Sequence, residues 1–301
     1  MTTNNVVSDQ HSAVIQNQTT GQVDFLRFNG SQLQSSLLKD YGIGPLWHIV
    51  ANGDFNGDGN PDLVTQNQIT GQLDFLYLDG TANLTSSELS NVVPHVVGAG
   101  EFGIRAAGQS GPELVSQLPN GQIDLLAFNA TGSLIASDLI PGTVGLPKAV
   151  GVGESFSFFP VFSGLGTTDT IVTQLADGRI DFLGFSGDFS TASVSFTNSR
   201  LLGVAGVTQP VFAVDQDNDF AHQRDANIAS TVDGVARESF DAVIVNSTTG
   251  QVDIDTWASG YGDVAHTATF LGSVGTNLFL SAGWQVVDAG IVDHVSVLPL
   301  A

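Results

Sequence analysis

Five copies of one short phrase limit what this chain can fold into. They read VIQNQTTGQVDFLRF (Val14 to Phe28), LVTQNQITGQLDFLYL (Leu63 to Leu78), LVSQLPNGQIDLLAF (Leu114 to Phe128), IVTQLADGRIDFLGF (Ile171 to Phe185) and VIVNSTTGQVDIDTW (Val243 to Trp257). In each, two apolar runs rich in Val, Ile, Leu and Phe flank a polar turn centred on Gly21, Gly71, Gly121, Gly178 or Gly250. Runs of strand length around a glycine turn predict a β-hairpin. Successive turn glycines lie 50, 50, 57 and 72 residues apart, and self-similarity at about 50 residues belongs to propeller blades or solenoid arrays.

A second phrase precedes the hairpins and separates those two architectures. It reads LWHIVANGDF at Leu46 to Phe55, PHVVGAGEF at Pro94 to Phe102, PKAVGVGES at Pro147 to Ser155 and, more loosely, QPVFAVDQD at Gln209 to Asp217. The first hairpin has no such phrase before it, and an orphan copy, GWQVVDAG, stands at Gly283 to Gly290. If that C-terminal copy supplies the first strand of the N-terminal blade, the array closes and no long edge stays unpaired. The expectation is an all-β, five-bladed β-propeller closed by pairing of N- and C-terminal strands in one shared blade. Its blades would span 284–301 plus 12–30, 46–80, 94–130, 147–187 and 209–258, as one domain over 1–301. An open stack is the alternative.

Closed β architectures of 301 residues are common as single units. The absence of cysteine excludes a disulfide framework and any thiolate metal site. Lys and Arg number 8 against 30 Asp and Glu, a formal charge of -22. Such a surface repels phosphate backbones and anionic headgroups and attracts cations, so neither nucleic-acid binding nor membrane insertion is expected. No run approaches the ~20 apolar residues of a membrane span, and the first residues lack the basic and apolar regions of a cleavable signal peptide.

The most chemical stretch is Asp54-Phe55-Asn56-Gly57-Asp58-Gly59-Asn60-Pro61-Asp62. Oxygen-bearing side chains at its first, third, fifth and ninth places, with glycine at the sixth, suit a hard cation such as Ca2+, which takes six to eight oxygens at about 2.3 to 2.6 Å. Asn60 would give its backbone carbonyl from the seventh place. This is the first half of an EF-hand loop; the second half is missing, since Thr65 stands where Glu is required and strand-like segments flank it. The bland reading is an Asp/Asn/Gly-rich turn without metal.

WHIVANGDFNGDGNPDLVTQN resembles the repeat unit of the bacterial FG-GAP and VCBS propellers, relatives of the integrin α-subunit propeller, whose DxNxDGxxD loops bind Ca2+ between the first two strands of a blade. The resemblance implies a secreted or surface-exposed, calcium-stabilised binding propeller. It is close from Trp47 to Gly80 and fades elsewhere. The third blade keeps only Glu101 and Glu113 of the acidic pattern, the fourth little beyond Glu154 and Asp169, and the closing blade Asp288 and Asp293, so none of these three is expected to bind calcium.

In the fifth blade, Asp215, Asp217 and Asp219 alternate as in a calcium loop, but the strand DAVIVN arrives only at Asp241, after the insertion FAHQRDANIASTVDGVARES. An irregular second Ca2+ site with Asp241, or Asp225 or Asp233, completing it is one reading; a solvated acidic turn is the other. The insertion carries Arg224 and Arg237, two of six arginines, and long loops in compact domains are functional or disordered. It is the first candidate for partner contact, with Trp257, which replaces the Phe or Leu of other hairpins, as a candidate sugar-stacking residue.

Repeat logic removes other candidates. Asp24, Asp74, Asp124, Asp181 and Asp253 each stand three places after the turn glycine, so they read as strand residues bonded to a neighbouring turn or backbone rather than as an acid/base dyad. His48 and His95 occupy equivalent places and read as packing or strand-pairing positions. Trp47, Phe55 and Trp284 read as blade-packing aromatics. No GxSxG elbow, P-loop or HExxH motif appears. The favoured function is a non-enzymatic binding or adhesion module for a glycan or an extracellular protein, expected as a monomer. A propeller-based carbohydrate-active enzyme is the alternative, because fold alone does not assign function. Calcium availability favours an extracellular or cell-surface location, reached by a signal-peptide-independent type I route, over cytoplasmic residence.

Overall fold

The computed structural model describes residues 10–29, 32–100, 102, 108–153, 170–175, 180–186, 195–202, 211–214, 237–245, 249–260 and 268–289. Among them there is no helix. The strands are β1 (Gln10–Asn17), β2 (Val23–Asn29) and β3 (Gln32–Lys39); β4 (Trp47–Gly53), β5 (Asp62–Asn67), β6 (Gln72–Leu78) and β7 (Leu84–Val92); β8 (His95–Gly100), β9 (Glu113–Gln117), β10 (Ile123–Phe128) and β11 (Leu134–Leu139). They continue with β12 (Lys148–Gly153), β13 (Thr170–Gln174), β14 (Ile180–Ser186) and β15 (Ser195–Leu202); β16 (Val211–Val214), β17 (Arg237–Val245), β18 (Gln251–Gly260) and β19 (Ala268–Phe279); and β20 (Trp284–Ala289).

The described strands form five four-stranded antiparallel sheets. Four are meanders of consecutive strands, and in the remaining one β20 pairs with β1 beside β2 and β3. The first strands also touch one another: β4 meets β8, β8 meets β12, β12 meets β16, β16 meets β20 and β20 meets β4. One expectation needs correction at the fifth repeat. There the strand begins at Arg237 instead of Asp241, so RESF is part of a nine-residue strand that pairs as far as Gly260. Arg237 therefore belongs to strand, not to the insertion loop.

The apolar runs are explained by what covers them. β9 and β10 are buried at every position, because each of their faces packs on a different neighbour. Leu114, Leu126 and Phe128 join Phe75, Val64 and Ala51 of the preceding sheet, whereas Val115, Ile123 and Leu125 join Ala149, Val152, Ile171 and Leu183 of the next. Val14 and Phe25 likewise face Ile49 and Leu63, while Ala13, Ile15 and Phe28 face Val252 and Leu278. A strand with both faces dry loses the polar alternation of a solvated sheet.

Every first strand carries an extra residue at the same place. Register is lost between Ile49 and Ala51, Val96 and Gly98, Ala149 and Gly151, Val211 and Ala213, and Val286 and Asp288. The residues skipped are Val50, Val97, Val150, Phe212 and Val287. Such bulges bend a strand and re-aim a side chain.

Sheets are tied to one another by a repeated glutamine at the end of the second repeat strand. Gln66 donates from Nε2 to the carbonyls of Pro94 (2.9 Å), Val93 (3.2 Å) and Gly71 (3.2 Å), and its Oε1 accepts the Val96 N–H at 3.1 Å. Gln16 does the same for Trp47 and Ile49, at 2.7 and 2.9 Å, and Gln117 for Pro147 and Ala149, at 2.8 and 2.9 Å. All three are buried. The turn glycines make room for this junction: a Cβ on Gly71, whose φ is +74°, would lie 2.8 Å from the Val93 carbonyl oxygen. Val245 occupies the glutamine place in the fifth repeat and packs instead with Trp284 and Leu280.

Replacing Gln66 by Leu should therefore cost about 3 kcal/mol, because the Val96 N–H and the carbonyls of Val93 and Pro94 lose their partner away from water. Equilibrium urea unfolding of wild type and Gln66→Leu measures it. An unchanged midpoint would mean that this junction adds nothing to stability.

Candidate functional site

The stretch from Asp54 to Pro61 joins β4 to β5. Its anchor is Phe55, 2% exposed, whose ring meets Phe75 edge-on at 5.3 Å. Phe75 in turn lies 5.0 Å from Phe128 of the next sheet, so the loop is pinned where two sheets pack. From the third sheet, the Ser110 hydroxyl donates to the Phe55 carbonyl at 2.5 Å. Gly111 fits closely behind it: a Cβ there would stand 2.5 Å from the Asp54 carbonyl oxygen.

Within the loop, carboxylates organise the backbone. Asp54 Oδ1 accepts the N–H groups of Gly57 (2.7 Å) and Asp58 (3.1 Å), and Oδ2 accepts that of Gly59 at 2.9 Å. Asn56 Oδ1 accepts the Asp58 N–H at 2.8 Å, and Asp58 Oδ1 accepts that of Asn60 at 2.8 Å. Gly57 and Gly59 adopt φ of 81° and 85°, the left-handed region that glycine enters without strain. The sequence DFNGDGN thus curls so that Asp54, Asn56 and Asp58 share one concave turn.

Asp62 differs from them. It is completely buried, and its oxygens accept the N–H of Phe55 (3.0 Å) and of Leu78 (2.9 Å). Burial pushes its carboxyl up to about 7; the two backbone hydrogen bonds oppose the rise, and the charges of Asp58 and Asp54 add to it. Glu113 holds the matching place in the third sheet, where its oxygens accept the Phe102 N–H (2.9 Å) and the Gln109 side-chain amide (2.7 Å). Both acids close the loop by fixing the backbone of a buried phenylalanine.

Among the described residues no three His, Cys, Asp or Glu side chains form a metal-holding group. The loop nonetheless offers a mixed oxygen set of the kind a hard cation takes: Asp54, Asn56, Asp58, the Asn60 carbonyl and the free lone pairs of Asp62. Burial is the main cause of the rise at Asp62, and the charges of Asp58 and Asp54 add to it.

An FG-GAP repeat model matches residues 46–72. Over these residues the chain is similar to an FG-GAP repeat. The match covers β4, the Asp54–Asp62 loop, β5, the following turn and the first residue of β6. No curated protein matches the sequence. FG-GAP repeats suit a β-propeller domain of binding or adhesion type, and the four-stranded antiparallel sheets here agree with one.

The other sequence candidates fall differently. Asp215, Asp217, Asp219 and Arg224 lie outside the described residues, as do Asp225, Asp233, Glu101, Glu154, Asp169 and Asp293. The backbone of Asp241 pairs with Thr256 in β17 and β18, and that of Trp257 with Phe240 and Phe270. The recurring strand aspartates bond across to the outer strand: Asp24 takes the Ser36 hydroxyl at 2.7 and 2.8 Å, and Asp124 that of Ser137 at 2.9 and 3.0 Å. Asp74 lacks the bond, its buried Oδ1 has no partner, and burial with the nearby Glu88 raises its pKa. Trp284 packs on the apolar junction as expected.

His48 and His95 hold strand-pairing positions, opposite Gln66 and Gln117, one of the two roles expected of them. His48 is half-buried and His95 exposed, and both line a cleft among the first strands. The sequence reading also missed the glutamine junctions, although Gln16, Gln66, Gln117 and Gln174 recur as regularly as the aspartates.

Two loop substitutions should separate architecture from ion binding. In EDTA, Asp62→Ala should cost about 2 to 4 kcal/mol by freeing the buried N–H groups of Phe55 and Leu78, whereas Asp58→Ala, at an exposed position, should stay within about 0.5 kcal/mol. Chemical denaturation of both variants in chelator checks this. Equal losses would show that Asp62 has no structural role beyond that of its neighbours.

Proposed function

We propose that this chain is a five-bladed β-propeller, closed by β20, that works as a calcium-stabilised, non-enzymatic binding or adhesion domain outside the cell. The observation that carries the reading is the FG-GAP loop itself: an oxygen-rich turn pinned by Phe55 between two sheets, with three carboxylates crowded and no Lys or Arg bonded to them among the described hydrogen bonds. Asp54, Asn56, Asp58, Asp62 and the Asn60 carbonyl would hold Ca2+. The ion would supply positive charge to the turn and so join two sheets through one loop. Asp215, Asp217, Asp219 and Asp241 remain the proposed ligands of a second site.

Ligand binding to the native state alone adds RT ln(1 + [L]/Kd), about 2.7 kcal/mol at a hundredfold excess over Kd. Millimolar Ca2+ should raise the melting temperature over EDTA, and Asp58→Ala should abolish the increment. Identical melting curves in Ca2+ and EDTA would remove the calcium reading.

Closure draws its support from the β20–β1 pairing and from the cyclic contacts of the five first strands. Truncation after Ser281 takes β20 away from β1 and uncovers Ala13 and Ile15. The truncated chain should aggregate or melt without cooperativity; a soluble monomer with a cooperative transition would favour an open array.

A glycan or an extracellular protein is the proposed partner, contacted by the insertion that carries Arg224, by Arg237 and by the face near Trp257. The pairing of Asp24 and Asp124 with serines supports a binding role over an enzymatic one, because it engages their oxygens in holding strands together. A glycan array in Ca2+, beside a reducing-sugar release assay, distinguishes the two: capture without turnover is the expected result.

A further inference from the structure

Four of the bulged first strands, β4, β8, β12 and β20, converge on a cleft of about 330 Å3. Its wall is a collar of valines, among them the bulge residues Val50, Val97, Val150 and Val287. Two residues before each bulge, at one repeat-equivalent position, stand His48, His95, Lys148 and Gln285, and all four line the cleft. Gln18 and Gln68 add amides from the hairpin turns.

The charge of this lining runs against that of the molecule. The chain has 30 acidic residues and a formal charge of -22, yet no Asp or Glu lines the cleft among the described residues. One of its two lysines and two of its six histidines do. Lys148 is exposed. Burial lowers the pKa of His95, with the nearby Lys148 adding to it, and burial lowers that of His48 as well. The lining thus offers an ammonium group and two imidazoles as donors.

A second observation points to a ligand. Gln18 Oε1 is buried and has no hydrogen-bond partner, although buried polar atoms are nearly always satisfied. Its Nε2 is turned back to Gln16 Oε1 at 3.3 Å, which leaves the carbonyl oxygen as an acceptor in want of a donor. Cationic and N–H donors, one orphan acceptor and an apolar collar describe an occupant with an anionic group, a hydroxyl and a compact body. The volume sits near the lower end for ligand sites, ~300 to 1,000 Å3, and admits one small molecule.

We propose that this cleft binds a small hydroxylated carboxylate of the size of a single sugar acid. Lys148, His95 and His48 take the carboxylate, Gln18 Oε1 accepts from a hydroxyl, and the valine collar packs against the carbon frame. The site is independent of the Asp54–Asp62 loop. His48 is the second residue of β4 and the loop follows its last residue, Gly53, so the two lie about 17 Å apart along one strand.

Glucuronate and glucose, titrated into the full chain at fixed ionic strength, provide the test, read by calorimetry and by the ring resonances of His48 and His95. Glucuronate should shift both histidines and bind at least about tenfold more tightly than glucose, the factor expected for a charge-assisted contact. Lys148→Gln, at an exposed position, should weaken glucuronate by a similar factor and leave the melting temperature unchanged. EDTA should leave glucuronate binding intact, so loss of the calcium reading does not touch this one. Equal binding of the two sugars, silent histidine resonances, or wild-type affinity in Lys148→Gln overturns the proposal. If that variant proves unstable, the comparison of the two sugars on wild type decides alone.

Discussion

A buried glutamine near the end of the second repeat strand, shown at Gln16, Gln66 and Gln117, is the contact on which the arrangement of sheets depends. A sheet that packs face to face with another has no directional bond to fix their relative position, because dispersion and burial tolerate sliding. The glutamine supplies that direction. Its amide donates to carbonyls just before the next sheet begins and accepts an N–H of that sheet's first strand, as Gln66 does for Pro94 and Val96. These backbone groups lie just before the first strand or at its start, so one side chain ties the entry of the next sheet to the end of the preceding hairpin strand. The turn glycine completes the device, since any Cβ at Gly71 would collide with the Val93 carbonyl. Where Val245 replaces the glutamine, Trp284 and Leu280 cover it and the junction becomes purely apolar.

Fixing the sheets at their first strands also divides the labour of the molecule between the two ends of those strands. At the end where the first strand finishes, loops turn to the second strand, and one of them, Asp54–Asp62, is rich in oxygen. At the end where it starts, the glutamine junctions bring His48, His95 and Lys148 around a common cleft. The bulges at Val50, Val97 and Val150 separate the two zones, placing apolar side chains between the basic rim and the rest of the strand. Opposite chemistries can then coexist on one strand without neutralising each other.

How much of this could be read in advance follows from what repetition preserves. The hairpins were legible because two apolar runs around a glycine recur five times, and the orphan GWQVVDAG marked the strand that pairs with β1. The loop was legible because its ligand pattern is local. The strand aspartates were read as structural, which Asp24 and Asp124 bear out, but their serine partners sit 12 and 13 residues downstream with no local signal. The glutamines recur almost as visibly; their partners at the next sheet lie 27 to 33 residues ahead, and such pairing cannot be inferred from a hairpin. His48 and His95 were read as packing or strand-pairing positions, and both pair in strands, opposite Gln66 and Gln117. That they also line a cleft was not legible, because the bulge two residues further on, at Val50 and Val97, carries no local signal.

Asp62 shows how added charge can be layered on architecture. In the third sheet Glu113 ties down Phe102 without an acidic loop of the FG-GAP pattern around it, so the bond from acid to phenylalanine backbone stands without one. In the second sheet Asp62 performs the same task for Phe55, with Asp54 and Asp58 close enough to raise its pKa. Those added charges make the turn costlier in the absence of a cation and more favourable in its presence, because repulsion among carboxylates becomes attraction to a shared ion. A repeat can therefore lose its acidic loop and keep its fold, provided that the acid closing the turn stays. The third sheet has that form: Phe102 is fully buried and Glu113 nearly so.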